Sequence, residues 1–123
     1  MHAGVPEAGD VFWVEFDPVL RTEKAGRRPA LVISERIYHE ISQRTLVCPT
    51  TTRARPWPFN VALPDGLGVA GVILVDQARM LHRPSRFFDP ICTVPKPILQ
   101  QVRGVIASLA GIAMVPREGD ITP

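Results

Sequence analysis

Short apolar runs rich in β-branched and aromatic residues succeed one another along most of this chain, and prolines separate them. The 123 residues include 13 prolines, roughly twice the usual share. Most stand at the ends of runs, where a proline stops a strand without removing a ladder hydrogen bond. Val11-Phe12-Trp13-Val14-Glu15-Phe16 reads as a first strand closed by the turn at Asp17-Pro18. Ala30 to Ile33 and Leu46 to Cys48 are uninterrupted apolar runs, as expected of strands buried on both faces, and Glu35 to Ser42 between them has room for a helical turn. Phe59 to Leu63 and Gly71 to Val75 flank the turn-rich stretch from Pro64 to Gly68. A further extended segment runs from Gln77 to His82, breaks over Arg83 to Arg86, and resumes at Ile91 to Val94.

Only after Pro95 and Pro97 does the period change. Ile98, Leu99, Val102, Val105, Ile106 and Leu109 follow helical spacing, and Gly111 is placed to end that helix. The expectation is a mainly β chain with a C-terminal helix (α+β), curved into a small barrel or half-barrel of about six or seven short strands. It forms a single domain over residues 1–123, with the barrel at about 8–113 and a flexible tail at about 114–123.

A hydrophobic content of 46% suits one soluble core. The net charge of +2 fits an anionic partner but also many proteins without one. Lys24 and Lys96 are the only lysines among 14 basic residues. Such an excess of arginine fits forked recognition of phosphate or carboxylate, and equally a GC-rich coding bias. Cys48 and Cys92 sit in apolar strands and form no metal-type spacing, so buried free thiols are expected. No leader-like or membrane-spanning run is present, which points to the cytoplasm.

Two strand ends carry the chemistry. Arg28 enters the run Pro29-Ala30-Leu31-Val32-Ile33-Ser34, and Thr50-Thr51-Thr52 leave the run that ends at Pro49. An arginine presents a permanent forked charge to a phosphate, and a hydroxyl can orient the oxygens of a reacting group. By residue type alone, Arg28 could equally form a surface ion pair with Glu23, and the threonines could simply be good strand formers. The polar stretch from Val19 to Arg27 is expected to be a mobile, charged loop, and Thr52 to Pro58 a second polar loop.

These segments resemble the MazF/PemK family of toxin endoribonucleases. The likeness is carried by Gly9 to Pro18, Glu23, Arg28 to Ser34, Pro49 to Thr52 and Val75-Asp76-Gln77-Ala78-Arg79, in that order, and extends from about Ala8 to Ile112. The resemblance implies an SH3-like barrel of the CcdB/PemK type and a homodimer. It also implies cleavage of single-stranded RNA (messenger RNA) at short sequences without metal or cofactor, leaving a 2′,3′-cyclic phosphate and a 5′-hydroxyl. A labile MazE-like antitoxin would silence it, and DNA would be met only through the antitoxin complex.

By the same resemblance the catalytic arginine maps onto Arg28, the catalytic threonine onto Thr51 with Thr50 one residue away, and a loop glutamate onto Glu23, as general base or as partner of Arg28. Leu74 stands where some relatives have an arginine paired with the motif aspartate, which counts against a mechanism based on Asp76. Trp57, Arg53 and Arg55 supply an aromatic face and charge for unstacked RNA. Arg21, Lys24 and Arg27 form a basic rim, joined at the RNA surface by Asp17, Pro18, Thr50 and Thr52. Gln77 and Arg79 reach either bases or a dimer partner. Trp13 is expected in the core or a dimer interface, and His39 and His82 in structural or exposed roles.

Two other functions fit a barrel of this size. One is a non-catalytic toxin that poisons DNA gyrase through its terminal helix; the arginine and threonine motifs argue against it. The other is a peptide-binding module, disfavoured by the small number of aromatics.

Overall fold

The computed structural model describes residues 4–17 and 26–113. The elements run β1 (Asp10–Glu15), β2 (Arg27–Val32), α1 (Arg36–Ile41), β3 (Arg44–Thr51), β4 (Asn60–Ala62), β5 (Val72–Leu74), a 3-10 turn (Val75–Gln77), β6 (Arg79–His82), the single turn α2 (Arg83–Arg86), β7 (Phe87–Thr93) and α3 (Lys96–Ala110). The seven strands form one antiparallel sheet in the order β4-β5-β3-β2-β1-β7. β6 lies on the edge of β3 away from β2, beside Arg44–Val47, and β5 takes over that edge at Thr50 and Thr51. The expected mainly β fold with a terminal helix is therefore the observed one.

Both faces of the sheet are covered, which accounts for the unbroken apolar runs in β2 and β3. Val11, Leu31 and Cys48 point to one side, where Val61, Ile73, Val75 and Val102 of α3 join them. Val14, Ala30, Val32 and Val47 point to the other, against Leu81, Phe12, Phe16 and Phe87. Each fully buried valine or leucine contributes about 1.5–3 kcal/mol. α3 starts behind Pro95 and stops at Gly111, whose left-handed φ of 71° lets its own amide and that of Ile112 return to Ser108 and Ala107.

Several boundaries differ from the sequence expectation. β4 and β5 are shorter than Phe59–Leu63 and Gly71–Val75, because backbone turns take up their ends. The 77–82 segment is split, with Gln77 closing the 3-10 turn and the strand beginning at Arg79. Arg83 to Arg86 forms a helical turn, with Pro84 in the position where a missing amide costs nothing. Pro29, Pro49 and Pro90 lie inside strands. Pro90 coincides with the register shift that bends β7 on β1. Cys92 is half-buried, whereas Cys48 is fully buried. Leu109, on the outer side of α3, is 45% exposed.

α1 has only six residues and no side-chain cap at its start. Arg83 holds its other end, donating to the carbonyls of His39, Ser42 and Arg44 and to the Thr45 hydroxyl at 2.7–2.9 Å. Burial pulls the Arg83 guanidinium below its usual pKa, and those acceptors replace the lost water.

Candidate active site

β2 and β3 bring the predicted catalytic pair together. Their ladder pairs Ala30 with Pro49, Leu31 with Cys48 and Val32 with Val47. The ladder ends at Ala30 and Pro49; Arg28 and Thr51 each stand two residues beyond that last pair on their strands, at the same end of the sheet. The neighbouring threonines are unlike. Thr50 is 2% exposed and its hydroxyl donates to the Pro29 carbonyl oxygen at 2.9 Å. Thr51 is half-buried, and its hydroxyl oxygen accepts the amide of Arg53 at 3.1 Å, which leaves its own proton available to donate.

Gly71 permits this placement of Thr51. Its φ is +102°, and a Cβ there would run into the Thr51 carbonyl oxygen. The bare backbone therefore lets the 71 segment lie against the strand end that presents the hydroxyl.

Arg28 and Thr51 line one cavity of about 440 Å³ with Trp13, Arg27, Thr52 and Arg53. Trp13 is 43% exposed here, not in the core. It shares the face of Val11 and lies opposite Pro29, but it is two residues beyond Val11, past the cluster under α3. Arg27 is already engaged, its guanidinium 3.9 Å from the Phe88 ring centroid and 3.8 Å from the Glu15 carboxylate. Arg28 has no ion pair to any described residue.

A second cavity of about 400 Å³ opens on the other side of Arg28 and is lined by Phe16, Asp17, Pro49, Gln77 and Arg79. Arg28 borders both cavities. The Arg79 guanidinium lies 5.8 Å from the Phe16 ring centroid. Gln77 and Arg79 therefore share a cavity with the arginine.

The loop after Thr51 exposes Thr52, Arg53, Arg55 and Trp57. The Trp57 indole donates to the Asp76 carboxylate at 2.9 Å and meets Phe59 edge-on with ring centroids 5.4 Å apart. Asp76 lines neither cavity. Pro18, Arg21, Glu23 and Lys24 lie outside the described residues, as does most of the loop expected between Val19 and Arg27.

The two described histidines serve the scaffold. His39, 2% exposed, donates from Nδ1 to the Pro6 carbonyl at 2.8 Å, so its Nε2 is the acceptor for the Ser34 hydroxyl at 2.6 Å. Burial lowers its pKa below 6.5; the Pro6 hydrogen bond raises it, and Arg83 lowers it further. His82 joins Ser85 and Gln43. Burial, with the Asp76 charge, pushes the Cys48 thiol up to about 12, and burial raises Cys92 as well, so neither is an activated nucleophile. Among the described residues no three histidine, cysteine or acidic side chains stand close enough together to hold a metal, and no helix is long and apolar enough to cross a membrane.

The family model for the PemK-like, MazF-like toxin of type II toxin-antitoxin systems matches residues 7–110. The endoribonuclease toxin MazF of Escherichia coli strain K12 is 37% identical over 107 residues, which cover 87% of this chain and 96% of that protein. The solved structure of MazF from Deinococcus radiodurans superposes with a TM-score of 0.79 at 42% identity, covering 88% of this chain and 98% of that one. A chain of the MazE-MazF complex from the same organism gives 0.75 at 39% identity, covering 89% and 98%.

Proposed function

This chain belongs to the PemK-like, MazF-like family of type II toxin-antitoxin toxins, and from that premise we propose that it is a sequence-specific endoribonuclease that cuts single-stranded RNA by transesterification. The observation that carries the proposal is the sharing of one cavity by Arg28, Thr51 and the exposed Trp13. A forked cation, a free hydroxyl proton and an aromatic face are what a phosphodiester with an unstacked base requires.

In this reaction the ribose 2′-oxygen loses its proton and bonds to phosphorus while the bond from phosphorus to the 5′-oxygen breaks. The 5′-oxygen takes up a proton. The products are a 2′,3′-cyclic phosphate and a 5′-hydroxyl. Arg28 clamps the non-bridging oxygens as negative charge builds on them and supplies the proton to the leaving oxygen. Thr51 donates its hydroxyl proton to the phosphate and fixes its orientation. Glu23 accepts the 2′-proton or orients Arg28. No step requires a metal.

Bases on either side of the scissile phosphate occupy the two cavities flanking Arg28, with Trp13 in one and Phe16, Asp17, Gln77 and Arg79 in the other. Thr52, Arg53, Arg55 and Arg27 carry the RNA backbone, with Pro18, Arg21 and Lys24 beside them. The protein acts in the cytoplasm as a homodimer and is silenced by a MazE-like antitoxin whose acidic segment covers the same basic surface; a solved MazE-MazF complex of a relative 39% identical supports that partner.

The test is incubation of the purified protein with a long single-stranded RNA in excess EDTA, followed by sequencing of the 5′-hydroxyl ends. Cuts at one short motif with cyclic-phosphate ends are expected. No cutting of any sequence, or cutting only when a metal is restored, refutes the proposal.

A further inference from the structure

We infer that Asp76 is a positioning residue that holds Trp57 as a preset stacking surface for one base of the RNA. The inference rests on the reading of this protein as an enzyme acting on single-stranded RNA.

The loop that carries Trp57 is braced at nearly every step. It begins at Thr51, whose hydroxyl oxygen holds the Arg53 amide. The Asn60 side chain donates to the Arg55 carbonyl at 3.1 Å, and the Asn60 amide donates to the Trp57 carbonyl at 3.1 Å. Pro56 and Pro58 flank the tryptophan, each fixing its own φ and restricting the residue before it. The indole is then fixed by the 2.9 Å hydrogen bond to Asp76 and by the edge-on contact with Phe59.

A loop held this firmly still leaves its largest apolar side chain 51% exposed. Burial elsewhere does not explain that exposure. An immobile ring loses little conformational freedom when a flat partner stacks on it. Arg53 and Arg55 on the same loop, both exposed, supply positive charge beside the ring, so the complementary occupant is a nucleobase on a phosphate backbone rather than an apolar peptide. Arg53 also lines the cavity of Arg28 and Thr51, so the platform continues from the candidate active site.

The hydrogen bond also defines what Asp76 does. Its carboxylate, carried by the 3-10 turn, accepts the hydrogen bond of the indole N–H and lines neither cavity beside Arg28, so it acts through Trp57 and not on the reacting atoms.

The experiment measures the affinity of the full-length protein for a fluorescein-labelled single-stranded oligonucleotide by anisotropy. The probe contains the cut motif, or a mixed sequence if none is found, with 2′-deoxyribose so that it cannot be cleaved. Trp57→Ala should weaken binding about tenfold, the scale of one lost base stack. Trp57→Phe, which keeps a ring, should lose less. Asp76→Ala should weaken binding several-fold, and Asp76→Asn, whose amide oxygen still accepts the indole proton, should restore most of it. In the Trp57→Phe background Asp76→Ala should add nothing, because the phenyl ring has no N–H to hold. Where cleavage is measurable, KM should follow these changes with kcat nearly constant.

Wild-type affinity in Trp57→Ala overturns the inference and leaves the indole for a protein partner. An undiminished effect of Asp76→Ala in the Trp57→Phe background, or a loss confined to kcat, also overturns it. A wild-type protein that binds the oligonucleotide with this pattern but cuts no RNA would refute the endoribonuclease proposal and leave this inference standing. Failure to bind any single strand would refute both.

Discussion

Thr50 donates its hydroxyl to the carbonyl oxygen of Pro29, across the two strands that carry the candidate site. The bond distinguishes Thr50, whose hydroxyl is engaged, from Thr51, the candidate catalytic threonine. Thr50→Val removes this side-chain hydrogen bond, at a cost of about 1 kcal/mol. It should lower the melting temperature while kcat stays within a few-fold of wild type. Thr51→Ala should do the reverse, melting almost normally but cutting RNA on the order of a hundredfold more slowly. Paired melting curves and single-turnover rates read both effects, and the opposite pattern would move the catalytic role to Thr50.

Arg28 and Arg27 are adjacent on β2 but differ in their surroundings. Arg27 stacks on Phe88 and faces Glu15, a partly exposed pair of about 0–1 kcal/mol. Arg27→Ala should raise KM several-fold through the lost phosphate attraction. Arg28→Ala should lower kcat on the order of a hundredfold or more, and Arg28→Lys should recover only part of it because an ammonium lacks the planar fork. Equal loss in Arg27→Ala and Arg28→Ala, with the same split between kcat and KM, would contradict the assignment.

Gly71→Ala tests whether the backbone behind Thr51 matters. The substitution forces a side chain into a left-handed φ and against the Thr51 carbonyl. A loss of about 1–3 kcal/mol is expected, together with a fall in kcat because the hydroxyl end of β3 is displaced. A variant that is stable and fully active would show that β3 tolerates the shift.

His39 makes stability depend on mild acid. Its pKa in the folded protein is depressed below 6.5 by burial, so the unfolded chain binds a proton more readily than the native one. The contribution is complete above about 6.5 and is lost as the pH falls toward the folded value. Asp10 and Glu35, which favour the charged ring, soften this dependence, and Arg83 sharpens it. Urea unfolding at pH 7 and pH 5 should therefore show a loss in wild type, and His39→Gln, even if weaker overall, should show a smaller one. An equal loss in both would place the acid sensitivity elsewhere.

Which features the sequence revealed follows from what covers each residue. β2 and β3 are visible as apolar runs because both of their faces are buried, and α3 is visible because only one of its faces is. Arg28 and Thr51 stand out as candidates by motif, not by periodicity. Alternation along β1 puts Trp13 on the face of Val11, but no local pattern says where the cover of α3 ends, so the sequence left the core and a dimer interface as alternatives and only the structure excludes the core. The partner of Trp57 lies 19 residues away. Arg83 looked like a break because backbone carbonyls, its main acceptors, leave no trace in residue type.

Arg83 also orders events in time. A six-residue helix does not hold together alone in water, and the guanidinium that closes α1 arrives 38–44 residues after the groups it binds. During synthesis, β2, β3 and every described residue lining the cavities beside Arg28, through Arg79, leave the ribosome before Arg83 does. A growing chain that already carries the whole candidate site is therefore still unclasped, and rapid proteolysis of chains stalled before and after residue 83 should find the Glu35–Arg44 segment open in the first and closed in the second.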